Sequence, residues 1–264
     1  MRARSWLFTP GDRPDRFGKA ATAGADVPIL DLEDAVAPDA KGRARDAVAK
    51  ALSELQAYVR VNGAGTPWHE EDLRAVAGKP GLLGVMLPTA ESPDVLDGLG
   101  VPVVALVETA AGVENAALIA ARPDVVRLAF GSVDFALDIG AAEDDFVYAR
   151  SRLVVVSRAC GIGAPVDGVT TDLDDPDRTM ADARRARALG FVGKMCLHPR
   201  QVGLVNHVFS PSETELAWAR QVVAAAGAGG AVRVGGQMID KPRLESARRL
   251  LEQENPETEE AGPP

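Results

Sequence analysis

The feature that most constrains this chain is a regular alternation of short apolar runs with longer amphipathic segments. The runs are rich in Val, Ile and Leu without strict polar alternation, which is typical of parallel strands covered on both faces. Eight strand–helix units predict an α/β fold, a (β/α)8 TIM barrel, whereas an open sheet with fewer strands is the alternative. The predicted strands are Ser5–Thr9, Val27–Leu32, Ala57–Asn62, Leu82–Leu87, Val101–Val107, Val125–Phe130, Ala164–Val169 and Phe191–Leu197.

The segments between these strands have the length and polarity of helices. The order strand–helix therefore repeats along the chain. The predicted helices are Arg13–Ala23, Asp39–Leu52, Pro67–Ala77, Gly112–Ala121, Asp144–Cys160, Pro176–Leu189 and Pro199–Val208.

The pattern changes after Phe209, so we predict a catalytic barrel over residues 1–210 and a separate C-terminal segment over 211–251. The C-terminal segment has a helix that begins after an N-cap at Ser212, a glycine-rich loop or hinge, and a last helix over Pro242–Leu251. We expect this helical arm to act as a lid or in oligomerisation, and packing against the barrel is the alternative. Residues 252–264 carry five glutamates and no basic residue, which predicts an acidic disordered tail.

Composition excludes several classes of protein. Hydrophobic residues make up 46% and charged residues 25%, as in an ordinary globular protein, and the formal net charge of −9 is unfavourable for binding nucleic acid. The apolar runs are too short to span a membrane, and the N-terminus does not resemble a signal peptide. Cys160 and Cys196 are expected to be buried thiols, so we predict a cytoplasmic protein.

Acidic residues follow several predicted strands, and the carboxyl ends of barrel strands meet at one rim. Glu108 and Asp134 are expected to be the ligands of a Mg²⁺ ion, with Mn²⁺ as an alternative ion, and Glu33 and Asp34 to orient bound water. The competing interpretation is that these acids cap the following helices. Besides Glu108, the end of the first strand, Thr9-Pro10, is expected to contact the substrate.

Basic residues are expected near the same rim. Arg60 lies inside an apolar strand, where an unpaired guanidinium is unfavourable, so it binds either an anionic substrate or an acid such as Asp31 or Glu33. Arg13, Arg16 and Lys19 share one helix face, which could meet a phosphorylated ligand or simply be solvated.

The chain contains, in this order, the motifs FTPGDRPDRF, ILDLEDAV, VRVN, GVMLP, LVETAAGVENA, FGSVDFALDIG and GGQMIDKP. Together they resemble the citrate lyase beta subunit-like branch of the HpcH/HpaI aldolase family, whose members include malyl-CoA and citramalyl-CoA lyases. One departure is Thr89, which follows the Pro of GVMLP where related sequences often have Lys, and which could alter contacts with CoA or substrate.

The resemblance implies a barrel with Mg²⁺ held by Glu108 and Asp134, and Arg60 against the substrate. It implies that Asp240 of QMID is the acid/base residue, delivered into the site of a neighbouring subunit of a homotrimer or homohexamer. The N-terminal basic residues would hold the CoA part of the substrate.

The implied reaction is reversible cleavage of a 3-hydroxy-3-carboxyacyl-CoA thioester, of malyl-CoA or citramalyl-CoA type, into acetyl-CoA or a homologue and a 2-oxo acid such as glyoxylate or pyruvate. Three alternatives stay open. They are a CoA-independent, metal-dependent aldolase for hydroxy-oxo acids, a citrate lyase beta subunit, and a non-catalytic barrel that binds 2-oxo acids.

Overall fold

The strands of the protein form a closed barrel and one small additional sheet. The computed structural model describes residues 3–96, 98–142, 145–226, 232–234 and 236–254. The barrel strands are β1 (Ser5–Pro10), β2 (Val27–Asp31), β3 (Ala57–Arg60), β4 (Leu82–Leu87), β5 (Val103–Val107), β6 (Val125–Phe130), β7 (Gly163–Asp167) and β8 (Gly193–Cys196).

Helices follow the strands as the barrel prediction requires, with one exception after β4. The described residues between β4 and β5 hold only a short 3-10 helix, Pro93–Leu96. The helices of the barrel are α1 (Pro14–Ala21), α2 (Lys41–Ala51), α3 (His69–Val76), α4 (Ala110–Ala120), α5 (Ser132–Asp138), α6 (Val147–Ala159), α7 (Pro176–Leu189) and α8 (Pro199–Phe209).

Parallel pairing closes the barrel without an edge. Each strand pairs with the next, and β1 pairs with both β2 and β8, so that Trp6 lies opposite Val27 on one side and Met195 on the other. The predicted (β/α)8 barrel is confirmed, and the open sheet is excluded. The eight barrel strands therefore end at the same rim, where Arg60, Glu108 and Asp134 lie.

The core has two layers, which follow from the alternation of side chains along each strand. Trp6 and Ile29 belong to a cluster inside the barrel, whereas Leu7 and Leu30 belong to a larger cluster between the strands and the helices. Because both faces of the strands are buried, the strands read as continuous apolar runs in the sequence.

Residues 3–209 form one compact unit, and the residues from 210 onward belong to a second. The second unit contains α9 (Glu213–Ala226), β9 (Val232–Val234), β10 (Gln237–Ile239) and α10 (Lys241–Glu254). Ser212 and Glu215 form a capping box, because the N–H of each donates to the side chain of the other, at 2.7 Å from Ser212 and 3.2 Å from Glu215.

Two details of the second unit differ from the expectation. β9 and β10 pair in antiparallel fashion within the stretch that we predicted as a glycine-rich loop or hinge. Helix α10 continues through Glu254, three residues into the segment that we predicted as a disordered tail, and the remainder of that segment, 255–264, lies outside the described residues.

Two further expectations concern cysteines and membranes. Both cysteines are free, but only Cys196 is buried, whereas Cys160 at the end of α6 is exposed because it caps a surface helix. Within the part of the chain that the structure describes, no helix is long and apolar enough to cross a bilayer.

Candidate active site

The predicted acids and the predicted arginine meet at the carboxyl ends of the barrel strands. Arg60 is the last residue of β3, Glu108 directly follows β5, and Asp134 lies in the first turn of α5, which follows β6. These three side chains line one cavity of about 410 Å³, together with Asp34 and Pro10. The topology of a parallel barrel thus brings together residues that are far apart in the sequence.

The guanidinium of Arg60 is held by acids at the end of β2 and just after it. Its Nε and Nη2 donate to the two carboxylate oxygens of Asp31 at 2.8 and 2.7 Å, and Nη1 lies 2.9 Å from Glu33 Oε2 and 3.5 Å from Asp34 Oδ2. The ring of Phe8 covers one face of the guanidinium, and the central carbon of the guanidinium lies 4.7 Å from the centre of that ring. The ion-pair interpretation of Arg60 therefore holds, while the same side chain also lines the cavity.

Burial and charge act in opposite directions on Arg60. Burial by itself lowers the pKa of the guanidinium, but the charge of Asp31 and its hydrogen bonds, with further help from Glu33 and Asp34, raise the pKa above its ordinary value. Arg60 is therefore a permanent cation at the cavity, suited to binding an anion or a developing negative charge.

The two carboxylate oxygens of Glu108 lie against different loops. Oε1 accepts a hydrogen bond from the Thr89 N–H at 2.7 Å, and the Thr89 hydroxyl lies 3.3 Å away. Oε2 lies against Gly131, where an added Cβ would approach it to 2.5 Å. Only glycine at position 131 leaves room for this carboxylate. The backbone just before α5 therefore packs directly against the Glu108 side chain.

The acids at the rim have pKa values shifted toward the neutral form. Burial, with the charge of Asp134, raises the pKa of Glu108 to about 7, although the Thr89 hydrogen bond opposes this shift. Burial, with the charges of nearby acids, raises the pKa of Glu33 to about 8, and burial also raises the pKa of Asp134. A cation bound beside these acids would favour their charged forms and so lower their pKa values.

A second cavity, of about 430 Å³, lies beside the first and is lined by acidic and hydroxyl side chains. Glu108, Asp134 and Asp34 line both cavities. The lining residues of the second cavity are Glu33, Asp34, Thr89, Glu108, Thr109, Asp134, Leu137 and Asp138.

This donor set fits a hard divalent ion with few protein ligands. No group of three or more His, Cys, Asp or Glu side chains is placed to hold a metal within residues 3–96, 98–142, 145–226, 232–234 and 236–254. Mg²⁺, however, is usually held by one or two carboxylates, with water and substrate oxygens completing its shell. The pair Glu108 and Asp134, with the space that Gly131 leaves at Oε2, meets that requirement.

The two predicted contacts at the end of β1 point to different sides. Phe8 and Pro10 line the first cavity. Thr9, between them, is 3% exposed and is not among the lining residues, as the alternation of side chains along a strand requires. The geometry therefore supports Pro10 as a substrate contact more directly than Thr9.

The three basic residues of α1 and the position just before it are exposed and line neither cavity. Arg13 directly precedes α1 and is paired with Asp15, with 2.9 Å between Nη2 and Oδ2. Arg16 and Lys19 lie on α1 itself. A role for this face in holding CoA stays a prediction.

Asp240 belongs to the C-terminal unit and is exposed. It directly precedes α10, and its Oδ1 accepts a hydrogen bond from the Arg243 N–H at 3.1 Å, the geometry of a helix N-cap. Its predicted acid/base role concerns a neighbouring subunit and stays a prediction.

A network behind the rim was not predicted from the sequence. Lys41, only 6% exposed, donates to the carbonyl oxygens of Leu32 and Glu33, each at 2.8 Å, and to Asn62 Oδ1 at 2.7 Å. Asn62 in turn donates to Leu32 O at 2.9 Å. A lysine early in a predicted amphipathic helix carries no signal of such a contact, because lysines at that place are usually solvated.

A closed barrel whose acid-lined cavities lie at the carboxyl ends of its strands is typical of the (β/α)8 enzymes. The model of the HpcH/HpaI aldolase/citrate lyase family matches residues 4–199. The chain therefore belongs to the HpcH/HpaI aldolase/citrate lyase family, as its motifs indicated.

Known proteins that are similar over nearly the whole chain agree with this assignment. The citrate lyase subunit beta-like protein of Deinococcus radiodurans is 39% identical, with 95% of this chain and 97% of that protein covered. The L-malyl-CoA/beta-methylmalyl-CoA lyase of Cereibacter sphaeroides is 34% identical, with 95% and 94% covered. These relatives confirm the predicted enzyme class, a lyase of the CoA ester type.

A solved structure gives the same result. Protein CitE from Mycobacterium tuberculosis, in complex with magnesium, acetoacetate and coenzyme A, superposes with a TM-score of 0.87 at 39% identity. The match covers 96% of this chain and 99% of CitE. Magnesium and coenzyme A, the ion and the cofactor that we predicted for this chain, are both present in that complex.

Proposed function

We propose that this protein is a Mg²⁺-dependent carbon–carbon lyase that reversibly cleaves a 3-hydroxy-3-carboxyacyl-CoA thioester into acetyl-CoA, or a homologue, and a 2-oxo acid. Malyl-CoA and citramalyl-CoA are the types of substrate, with glyoxylate and pyruvate as the corresponding products. The observation that carries the proposal is the pairing of Glu108 and Asp134 at a cavity that Arg60 also lines. This combination offers a divalent-ion site beside a fixed cation.

Glu108 and Asp134 are the residues that would hold the ion. When bound, Mg²⁺ supplies Lewis-acid polarisation of the hydroxyl and carboxylate oxygens of the substrate. Glu33 and Asp34, which line the second cavity beside this pair, would orient water around it.

Arg60 would stabilise the negative charge that develops during cleavage. When the C–C bond breaks, its electron pair passes to the thioester as an enolate, while the hydroxyl loses its proton to water and becomes the carbonyl of the 2-oxo acid. A fixed, largely buried cation is suited to such an oxyanion, and one such group is commonly worth about 3–4 kcal/mol in the transition state. Phe8 and Asp31 fix the orientation of the guanidinium.

Asp240 would complete the reaction by protonating the enolate carbon, and would remove that proton in the condensation direction. In this proposal the C-terminal unit of one subunit delivers Asp240 to the site of another, within a homotrimer or homohexamer. Arg13, Arg16 and Lys19 would bind the phosphates of CoA. A cytoplasmic location belongs to the same proposal.

An assay with purified protein tests the reaction. The protein with Mg²⁺ is presented with a panel of malyl-, methylmalyl-, citramalyl- and hydroxymethylglutaryl-CoA thioesters, and release of the 2-oxo acid is followed by a coupled dehydrogenase. We expect cleavage of at least one thioester, loss of cleavage in EDTA, and recovery with added Mg²⁺. Full activity in the chelator would remove the metal from the reaction.

The same assay separates the proposal from its alternatives. A citrate lyase beta subunit would act on an acyl-carrier thioester within a complex, so cleavage of CoA esters by the isolated chain excludes that assignment. A CoA-independent aldolase would cleave free hydroxy-oxo acids and would not bind CoA in a calorimetric titration. Binding of pyruvate without cleavage of any thioester would favour a non-catalytic barrel.

A further inference from the structure

The backbone at Thr89 has a conformation that threonine rarely adopts. Its φ is +49°, in the left-handed region, and among the described residues other than glycine only Phe146 shares a positive φ. A β-branched side chain is unfavourable in this region, so the conformation persists only where the surrounding structure fixes it.

The surrounding loop is fixed at three successive residues. The Thr89 N–H donates to Glu108 Oε1 at 2.7 Å, the Ala90 N–H donates to Leu106 O at 3.0 Å, and Glu91 O accepts from Asn115 Nδ2 at 2.8 Å. These contacts tie the loop after β4 to β5 and to α4. The unfavourable turn at Thr89 is thus held in place by the elements that also carry Glu108.

The backbone conformation at Thr89 determines which carboxylate oxygen of Glu108 accepts its N–H. Because Oε1 is occupied by the Thr89 N–H, the other oxygen, Oε2, faces Gly131, the residue before the helix that carries Asp134. The Thr89 hydroxyl, at 3.3 Å, adds little to a hydrogen bond of 2.7 Å from the N–H. The backbone N–H therefore dominates the contact.

We propose that Thr89 is a positioning residue for Glu108, and that its left-handed backbone directs the N–H so that one carboxylate oxygen is held and the other is presented for the divalent ion. This inference rests on the ion site of the proposed function. It differs from the expectation that the side chain at position 89 contacts CoA or substrate, because it assigns the role to the backbone.

Two substitutions at this position separate the N–H from the side chain. Thr89→Pro removes the N–H and imposes a negative φ, whereas Thr89→Gly keeps the N–H and adopts a positive φ without a steric penalty. Binding of Mn²⁺ to the purified full chain without substrate is measured from the free-ion signal in electron paramagnetic resonance. We expect Thr89→Pro to weaken binding at least tenfold, and Thr89→Gly to stay within threefold of the unsubstituted protein.

Equal binding by Thr89→Pro and the unsubstituted protein would overturn the inference, and so would an equal loss in Thr89→Gly and Thr89→Pro. If Thr89→Pro does not fold, amide hydrogen exchange at Thr89 decides. Exchange should accelerate at least tenfold in Glu108→Ala, and unchanged exchange would contradict the contact.

The outcomes also separate this inference from the proposed reaction. If the unsubstituted protein binds Mn²⁺ and the two variants behave as expected, the positioning role stands even when no thioester is cleaved. If the unsubstituted protein binds no Mn²⁺, the positioning role is overturned because there is no ion to present.

Discussion

Arg60 and Asp31 form a two-point ion pair in which Nε and Nη2 reach the two carboxylate oxygens at 2.8 and 2.7 Å. The side chains are 12% and 1% exposed, so the pair is largely removed from water. Removing one partner of such a pair leaves a buried charge without compensation.

We therefore expect Arg60→Met to lower the free energy of unfolding by about 3–5 kcal/mol, because Asp31 is left as a buried anion. The double variant Arg60→Met with Asp31→Asn should regain more than half of that loss, since the uncompensated charge is gone. Urea unfolding of the two single variants and the double variant measures both effects. Losses that simply add would show that the pair is not coupled in stability.

Gly131 gives a steric test of the position of Glu108. An added Cβ would lie 2.5 Å from both Cβ and Oε2 of Glu108, so Gly131→Ala should displace the carboxylate and weaken Mn²⁺ binding at least tenfold. Gly203→Ala, at an exposed position of α8, is the matched control, because no atom beyond its chain neighbours and its own helix backbone lies within 4 Å of the added Cβ. The control should bind Mn²⁺ normally and gain about 0.5–1 kcal/mol in stability. Normal binding in Gly131→Ala would contradict this geometry.

The metal-free protein should lose stability as pH rises from about 4.5 to 7. Glu108 has a pKa raised to about 7 by burial, so in this interval the folded state binds a proton that the unfolded state has released. Glu33, with a pKa raised to about 8 by burial, contributes in the same direction. Glu108→Gln should reduce the loss measured by urea unfolding at a series of pH values, and an unchanged profile would exclude Glu108 as its source.

Much of the barrel could be predicted because its strands are apolar on both faces. The predicted bounds of β4 and β6 are those observed. The ends of β7 and β8 were predicted too late in the chain, because the apolar residues Val169 and Leu197 lie beyond these strands and line the cavity. Hydrophobicity alone does not distinguish an apolar cavity wall from the end of a buried strand.

Helix α5 was missed for a related reason. It has only seven residues, and its apolar side chains do not lie on one buried face, since Val133 and Leu137 are 40% and 80% exposed. The periodicity that identifies an amphipathic helix is therefore absent. The place of Asp134 at the rim could still be predicted, because it depends on the end of β6 rather than on the helix.

The topology of the barrel predicts that the acids meet at the rim. It does not predict the contacts that support them. The contact of Thr89 with Glu108 depends on a left-handed backbone at a residue that disfavours it. The contact of Lys41 with two carbonyl oxygens depends on where a loop folds back over α2. Neither arrangement leaves a pattern in residue type or spacing, so one sequence cannot reveal it.

Lys41 provides a test of this supporting network. Lys41→Met removes the donor shared by Leu32 O, Glu33 O and Asn62 Oδ1, and should cost about 2 kcal/mol in unfolding free energy because buried acceptors are left unsatisfied. Lys50→Met, at an exposed position of the same helix, is the control and should change stability by less than about 0.5 kcal/mol. If urea unfolding shows equally small losses for Lys41→Met and Lys50→Met, water replaces the ammonium as the donor to these acceptors.

Asp240→Asn separates the helix-capping contact of Asp240 from its proposed acid/base role. Asparagine caps a helix as well as aspartate does, so Asp240→Asn should keep the hydrogen bond to the Arg243 N–H, and thermal unfolding should be unchanged. It cannot donate and accept a proton as a carboxyl group does, so turnover should fall at least 100-fold while Mn²⁺ binding is retained. Asp240→Ala should lose the cap as well, with about 1 kcal/mol of stability. Near-normal turnover in Asp240→Asn would leave capping as the whole role of this residue, and the proton would then have to come from another group.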